Sequence, residues 1–323
     1  MLTLEQHEVA AYLLQRRLIS RRSIVCGRLR IADASSRNRN FRVSGEPGES
    51  YLLKQGLAAD SAHTLANEVA LYRRLAPAAA WIPRLYDFDA GRGLLILEWI
   101  AGGEDLLRRG RSSPTLAAAL GRVLAELHAV APDEQELRRD APWVLSLQRP
   151  SLEAIRYLSA ASVELVKVLQ GDAPFARAMD DLRDGWSCEA LVHRDVKWAN
   201  CIAHAAPGAA RATRISLVDW EMAGWGDPAF DIGSALSECV GATAVAQALW
   251  RAYVRARRLD APAASRLIER AVRFAGARLV QTAYEHTQEV RSLSAAVRDD
   301  LQVARRLLLS PREAAAELLG IAG

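Results

Sequence analysis

Residues 191–202 read LVHRDVKWANCI. Apolar Leu191 and Val192 lead into a polar loop with His193, Arg194, Asp195, Lys197 and Asn200, and apolar character resumes at Cys201 and Ile202. The pattern predicts strand, loop, strand. Asp195 offers a carboxylate that can orient a hydroxyl and take its proton late, while Asn200 offers an amide oxygen suited to a hard cation. A neutral donor fits the second position, because a further carboxylate there would repel an anionic reactant. Lys197, between them, supplies a cation able to neutralise negative charge on a reacting group.

The next stretch downstream, ISLVDWEMAGWGDPAFDIGSAL (215–236), carries apolar Ile215, Leu217 and Val218 into Asp219. A carboxylate at the end of a buried strand suits a divalent ion that bridges phosphates, which makes Asp219 the expected metal ligand beside Asn200. Glu221 reads equally well as its supporting partner or as an exposed, salt-bridged glutamate.

Outward from this island, Ala190 to Asp219, the C-terminal half is helical in pattern: Pro114–Val130, Leu152–Leu169, Ala235–Arg258, Ala264–Gln288 and a last stretch past Pro311. Ser113 before Pro114 is an expected N-cap, and Ser310 with Glu313 an expected capping box. AAPGAARA (205–212) reads as a flexible turn between two short strands. From Arg22 to Trp99 the runs SIVCGRLRIAD, NFRVS, SYLLKQG and GLLILEWI are strand-like and predict an antiparallel sheet. One helix interrupts it, marked by Leu65, Val69, Tyr72 and Leu75, with Glu68 and Arg73 on its other faces. The first twenty residues read as an amphipathic helix and not as a signal peptide. The change of period predicts two domains, 1–100 and 101–323.

Bulk properties exclude several classes. The 323 residues are 50% hydrophobic and 25% charged, with a net charge of +4. Basic groups such as Arg16, Arg17, Arg21 and Arg22, or Arg255, Arg257 and Arg258, lack interleaved aromatics, so no nucleic-acid partner is expected. The longest apolar run, near Gly93 to Trp99, is too short for a bilayer, so no membrane partner is expected. Cys26, Cys188, Cys201 and Cys239 show no paired metal or redox spacing and read as reduced thiols in a cytoplasm.

These residues together resemble the aminoglycoside phosphotransferase and choline kinase group of the protein-kinase-like superfamily. That group carries H-G-D-x-x-x-x-N, then D-W-E or D-F-E, then G-D-P-x-x-D. The chain matches with His193, Asp195 and Asn200, with Asp219, Trp220 and Glu221, and with Gly226, Asp227, Pro228 and Asp231. The resemblance implies an α+β, bilobal protein-kinase-like fold: an N-terminal antiparallel sheet lobe with one main helix, and a larger helical lobe carrying the catalytic loop and acceptor site. It implies ATP and Mg2+ as cofactors, Asp195 and Lys197 as catalytic, and Asn200 and Asp219 as metal ligands. Lys54 falls where the group's strand lysine contacts phosphates, Glu68 where its partner sits, and Glu98, Trp99 and Ile100 at the hinge that bonds adenine. Asp231 would brace the loop, His193 support it, and His128 pack beneath the hinge. Two features depart from the group. The first turn, ADASSRNRNF (32–41), offers Ser35, Ser36, Asn38 and Asn40 in place of glycines to cap phosphates, and Arg194 replaces the usual loop glycine.

For the acceptor, two classes stand. A small amino-alcohol or aminoglycoside-like molecule would call for acids such as Glu104, Asp105, Glu221, Glu238 or Glu285. Serine or threonine of a precursor peptide is the other, since Lys197 and the stretch RLVQTAYE (278–285) resemble kinase-like enzymes of ribosomal peptide maturation, of lanthipeptide or thioamitide type, that work with a partner lyase. A catalytically inactive scaffold of the same fold is the non-enzymatic alternative; the presence of Lys54, Asp195, Asn200 and Asp219 argues against it.

Overall fold

The computed structural model describes residues 3–35, 38–56, 59–75, 79–108, 113–131, 138–206, 209–288 and 290–322. After a 3-10 turn at Gln6–Glu8 come helices α1 (Val9–Gln15) and α2 (Arg21–Val25), then β1 (Arg30–Asp33), β2 (Arg39–Ser44) and β3 (Ser50–Gln55). Helix α3 (Ala59–Leu75) precedes β4 (Leu85–Asp89), β5 (Leu94–Glu98) and the short β6 (Glu104–Asp105). Helices α4 (Pro114–Leu127), α5 (Leu152–Ile155), α6 (Ala160–Gly171) and α7 (Ala173–Asp184) lead to β7 (Ala190–Val192). The strands β8 (Cys201–Ala206), β9 (Ala209–Leu217) and β10 (Gly224–Gly226) follow, and helices α8 (Pro228–Ser237), α9 (Thr243–Arg257), α10 (Ala261–Thr287), α11 (Ala295–Leu309) and α12 (Pro311–Leu319) complete the chain.

The chain divides into two units, Met1–Asp105 with Cys201–Met222, and Leu106–Asn200 with Ala223–Gly323. In the first, the antiparallel sheet has the order β1-β2-β3-β5-β4. Alternation puts Tyr51 and Leu53 of β3 into an apolar core with Leu4, Val9, Leu13, Phe41, Val43, Leu94 and Ile96, and turns Lys54 to the opposite face. A second sheet, β6-β8-β9, ends where β9 runs into Asp219. The second unit is helical, with β7 and β10 paired as an antiparallel ribbon. At Gly233 a Cβ would run into the Ala271 carbonyl and Phe274, so α8 and α10 approach closely there. This α+β architecture is the one the sequence implies.

Several boundaries differ from expectation. SIVCGRLRIAD is not one strand: the Ser20 hydroxyl accepts from the Ser23 N–H at 3.1 Å and starts α2, so an N-cap overrides the β-propensity of Ile24 and Val25. The N-terminal helix is confined to Val9–Gln15. Leu152–Leu169 breaks at Ser159, which caps α6 by accepting from Ser162 N–H at 3.0 Å. Ala235–Arg258 breaks at Gly241, whose φ of +79° no helix accommodates. Ser113 caps α4 through Leu116 N–H, as expected. Ser310 makes no side-chain cap, because it also ends α11 and its φ of −130° and ψ of 59° lie outside the usual N-cap region. AAPGAARA is mostly strand, and between β8 and β9 stand only residues 207–208, which lie outside the described set. All four cysteines are free thiols. Among the described residues no helix is long and apolar enough to cross a membrane.

Candidate active site

The residues singled out by the sequence fall into two clusters, one in each unit. In the first unit β3 presents Lys54, which is 5% exposed, and surrounds it with acids from α3 and the end of β9. The ammonium lies 2.6 Å from Asp219 Oδ1, 3.0 Å from Glu68 Oε2 and 3.2 Å from Glu221 Oε2. Burial alone would lower the Lys54 pKa, but the three carboxylates, Glu68 foremost, hold it above the ordinary lysine value. Burial, the largest influence on fully buried Glu68, pushes that carboxyl up despite Lys54. Asp219 takes a left-handed backbone, φ +68°, just before a 3-10 turn at Trp220–Met222. That turn is anchored by Trp220, fully buried against Trp81 with ring centroids 5.6 Å apart, its indole N–H donating to Leu217 O at 2.8 Å and its backbone N–H to Glu68 Oε1 at 3.3 Å. Formally, one cation faces three anions, an excess of two negative charges when all are ionised.

The glycine-free turn between β1 and β2 is stabilised by its own side chains. Ser35 N–H donates to Asp33 Oδ1 at 2.8 Å, and the Ser35 hydroxyl accepts from Asn40 N–H at 3.1 Å, so that hydroxyl serves the turn itself. Asn38 Nδ2 donates to Glu221 Oε2 at 3.2 Å, joining the turn to the charged cluster. Ser36 lies outside the described residues. At the expected hinge, Trp99 N–H donates to Ser50 O at 3.1 Å while the Ser50 hydroxyl donates to Trp99 O at 2.8 Å. Glu98 N–H turns to the other edge and meets Arg84 O at 2.8 Å, while Ile100 O accepts from Gly103 N–H at 3.1 Å.

In the second unit, β7 delivers the loop and the first turn of α8 holds it. Fully buried Asp231 accepts from His193 N–H at 2.7 Å and Arg194 N–H at 2.8 Å. It also faces His128 Nε2 at 3.3 Å, and His128 Nδ1 meets the Tyr253 hydroxyl at 2.9 Å. The partners of His128 are thus α8 and α9 side chains. Arg194 has a φ of +69°, a left-handed backbone that glycine adopts without cost, which accounts for the glycine of the resembled pattern. Its guanidinium donates to Asp140 O at 3.0 Å and lies over the Trp186 ring, and burial with neighbouring Arg139 holds its pKa down at about 10.

Asp195 Oδ2 accepts from Lys197 Nζ and from Asn200 Nδ2, each at 2.8 Å. Burial would raise the Asp195 pKa, but Lys197 first, then Arg278 and His193, hold it below the usual aspartate value. The second bond of Asn200 Nδ2 goes to Asp195 O at 3.0 Å, so these bonds use the amide's N–H groups and not its oxygen. Sequence reasoning missed Arg278 as part of this cluster: it is 4% exposed on α10, with Nη2 3.6 Å from Asp195 Oδ1. The available signal is a charged residue within the apolar run Phe274, Ala275, Ala277 and Val280. Of the acids expected to greet a cationic acceptor, Glu104, Asp105 and Glu221 belong to the first unit, and Glu238 and Glu285 to the second.

Among the described residues no three His, Cys, Asp or Glu side chains are grouped as a closed metal cage. Mg2+ seldom needs one, since it takes one or two protein carboxylates and completes its shell with phosphate oxygens and water. In the first unit the Asp219 side chain, 38% exposed and part of a cluster with surplus negative charge, is a donor of that kind, and in the second unit the Asn200 amide oxygen is another, so the chemistry of each residue fits the ion.

Residues 28–268 match the family model described as "Phosphotransferase enzyme family". No curated protein matches the sequence. Similar solved structures include an ethanolamine kinase of Plasmodium vivax, 14% identical over 94% of this chain and 86% of that one, with a TM-score of 0.57. A macrolide 2'-phosphotransferase of Brachybacterium faecium is 19% identical over 94% and 99%, with a TM-score of 0.55. A choline kinase of Streptococcus pneumoniae is 15% identical over 93% and 99%, with a TM-score of 0.56. At such identities the likeness is one of fold.

Proposed function

Since the chain belongs to the phosphotransferase enzyme family, we propose that it moves the terminal phosphate of ATP to an acceptor hydroxyl, with Mg2+ as the assisting ion. The observation that carries this reading is the Lys54 ammonium held among Glu68, Asp219 and Glu221. Fixed in place by carboxylates and kept charged, Lys54 would hold phosphate oxygens of the nucleotide, and Glu98 and Ile100 would offer backbone groups to its base. Asn38 and Ser35 support the first turn over the phosphates. Asp219 and Asn200 would hold the metal ion, which when bound draws negative charge off the phosphate oxygens. Asp195 would orient the acceptor hydroxyl and receive its proton, and Lys197 would balance charge on the phosphoryl group. Because its pKa is held low, Asp195 is a weak base, which suits a loose transition state in which deprotonation comes late.

In this reading residues 1–100 bind the nucleotide and residues 101–323 carry the catalytic loop and acceptor site. The acceptor is a hydroxyl-bearing small molecule or a serine or threonine of a precursor peptide, the latter with a partner lyase. A cytoplasmic setting belongs to the same proposal, in keeping with buried free thiols at Cys201 and Cys239. The test combines a thermal shift with ADP release. ATP with Mg2+ at about 100 times its Kd should stabilise the protein by about 2.7 kcal/mol. Asp195→Asn should keep that shift while turnover falls by at least about 100-fold. Turnover unchanged in this variant removes Asp195 from its role, and a missing shift in the parent protein refutes the nucleotide reading.

A further inference from the structure

Phosphotransfer alone leaves Arg278 unexplained. A guanidinium presents five N–H donors, and one that is 4% exposed has to find its acceptors inside the protein or on a ligand. Its two charged neighbours both stand beyond hydrogen-bond length: Nη2 is 3.6 Å from Asp195 Oδ1, and Nη1 is 3.7 Å from Glu285 Oε1. Nη1 is buried without a hydrogen-bond partner among the described residues. Glu285 Oε1 already accepts from Gln281 Nε2 at 3.0 Å, one turn away on the same helix face.

The geometry of Asp195 gives those donors a direction. Its Oδ2 is taken by Lys197 and Asn200, while Oδ1 is the oxygen on the Arg278 side. A hydroxyl that bonds Oδ1 therefore brings its neighbouring atoms toward the guanidinium. Those atoms suit the guanidinium, whose Nη1 lacks a partner among the described residues, only if they accept hydrogen bonds, so an oxygen fits and an ammonium does not. Lys197 and Arg278 flank Asp195 with two cations, which also opposes a charged amine close to the reactive hydroxyl.

We propose that Arg278 determines acceptor specificity by bonding a carbonyl or carboxylate oxygen a few bonds from the accepting hydroxyl. The substrate class is then a hydroxyacyl compound, either a free hydroxy acid or a serine or threonine in amide linkage, and not an amino-alcohol. This rests on the phosphotransfer reading and narrows it. The oxygen on Arg278 takes no part in bond making; it fixes where the hydroxyl lies against Asp195.

The experiment offers the full chain ATP, Mg2+ and matched acceptors, with products followed by mass: glycerate for the free acid, N-acetylserine methylamide for the amide, and ethanolamine and choline for the amines. The expected result is kcat/KM at least about tenfold higher for a carbonyl-bearing acceptor than for either amine. Whether glycerate or the amide leads separates the free acid from the peptide-like source. Arg278→Gln should raise KM for the preferred acceptor by roughly tenfold or more while KM for ATP stays within about twofold, and Arg278→Lys should recover part of the loss. Preference for the amines, no turnover of either carbonyl-bearing acceptor, or an equal kcat loss for every acceptor in Arg278→Gln overturns the proposal. If Arg278→Gln does not fold, the parent protein's selectivity decides. Absence of any Mg2+ and ATP thermal shift in the parent protein sinks the nucleotide reading, and this proposal with it.

Discussion

Replacing Arg194 by glycine and, separately, by alanine isolates the strain in the loop backbone. Arg194 sits at φ +69° because its N–H is held by Asp231 Oδ1 at 2.8 Å. A left-handed backbone costs an L-residue roughly 1–2 kcal/mol. Both substitutions delete the same contacts, the 3.0 Å bond to Asp140 O and the guanidinium over Trp186, so those losses cancel in the comparison. Alanine keeps the left-handed penalty and glycine removes it. Against this, glycine gains freedom in the unfolded chain worth about 0.5–1 kcal/mol. The balance leaves the glycine variant more stable by about 0.5–1 kcal/mol, the reverse of their order inside a helix or strand. For a unit of this size that is a Tm difference of roughly 1–4 °C, measurable by calorimetry and checked by the urea midpoint. The parent protein stands less far above both than its contacts suggest, because a guanidinium pKa lowered from 12.5 to about 10 corresponds to roughly 3 kcal/mol against the charged form. An alanine variant as stable as the glycine one, or more so, would refute the strain argument.

Three further predictions concern the charged clusters. Lys54→Met leaves fully buried Glu68 without its cation and should cost about 3–5 kcal/mol, with part of the loss recovered at pH 5.5 relative to pH 7.5 as the carboxyls take up protons; a Tm equal to the parent's at both pH values sinks this. Since the Asp195 pKa is lowered on folding, its stabilising contribution is complete above the ordinary value of 3.8 and is lost only as pH falls through the lower folded value, so kcat/KM should show no acid limb from Asp195 above about pH 5. Lys197→Met removes the largest opposing charge, lets burial dominate and should move that limb upward; superimposable pH profiles for parent and variant would contradict it.

The loop at 193–200 was legible because its contacts are local: Lys197 and Asn200 both donate to the Asp195 carboxylate a few residues away. The sheet was legible through alternation at Tyr51 and Leu53, with Lys54 facing the other way. What escaped depended on competition or on distant packing. Ser20 and Ser159 start helices by single hydroxyl bonds that no periodicity reveals. Strand β4, LYDFD, is half-buried at every position and so lacks an alternating signature. Glu221 read equally well as surface or support, and only the fold sets it 3.2 Å from Lys54. Arg278 of α10 stands 3.6 Å from Asp195, a proximity between residues far apart in the chain.

The first unit is discontinuous, and a ribosome makes it in two instalments. Lys54, Glu68 and Trp81 leave the exit tunnel well before Cys201–Met222 exists to complete their surroundings. At about 5–20 residues per second, the intervening stretch 106–200 takes roughly 5–20 s to add. Throughout that interval the nascent chain exposes the indole face later covered by Trp220 and an ammonium with one of its three acids in place. Vectorial synthesis therefore delays maturation of the N-terminal sheet's charged face until translation is two-thirds done, a window in which chaperones have most to guard.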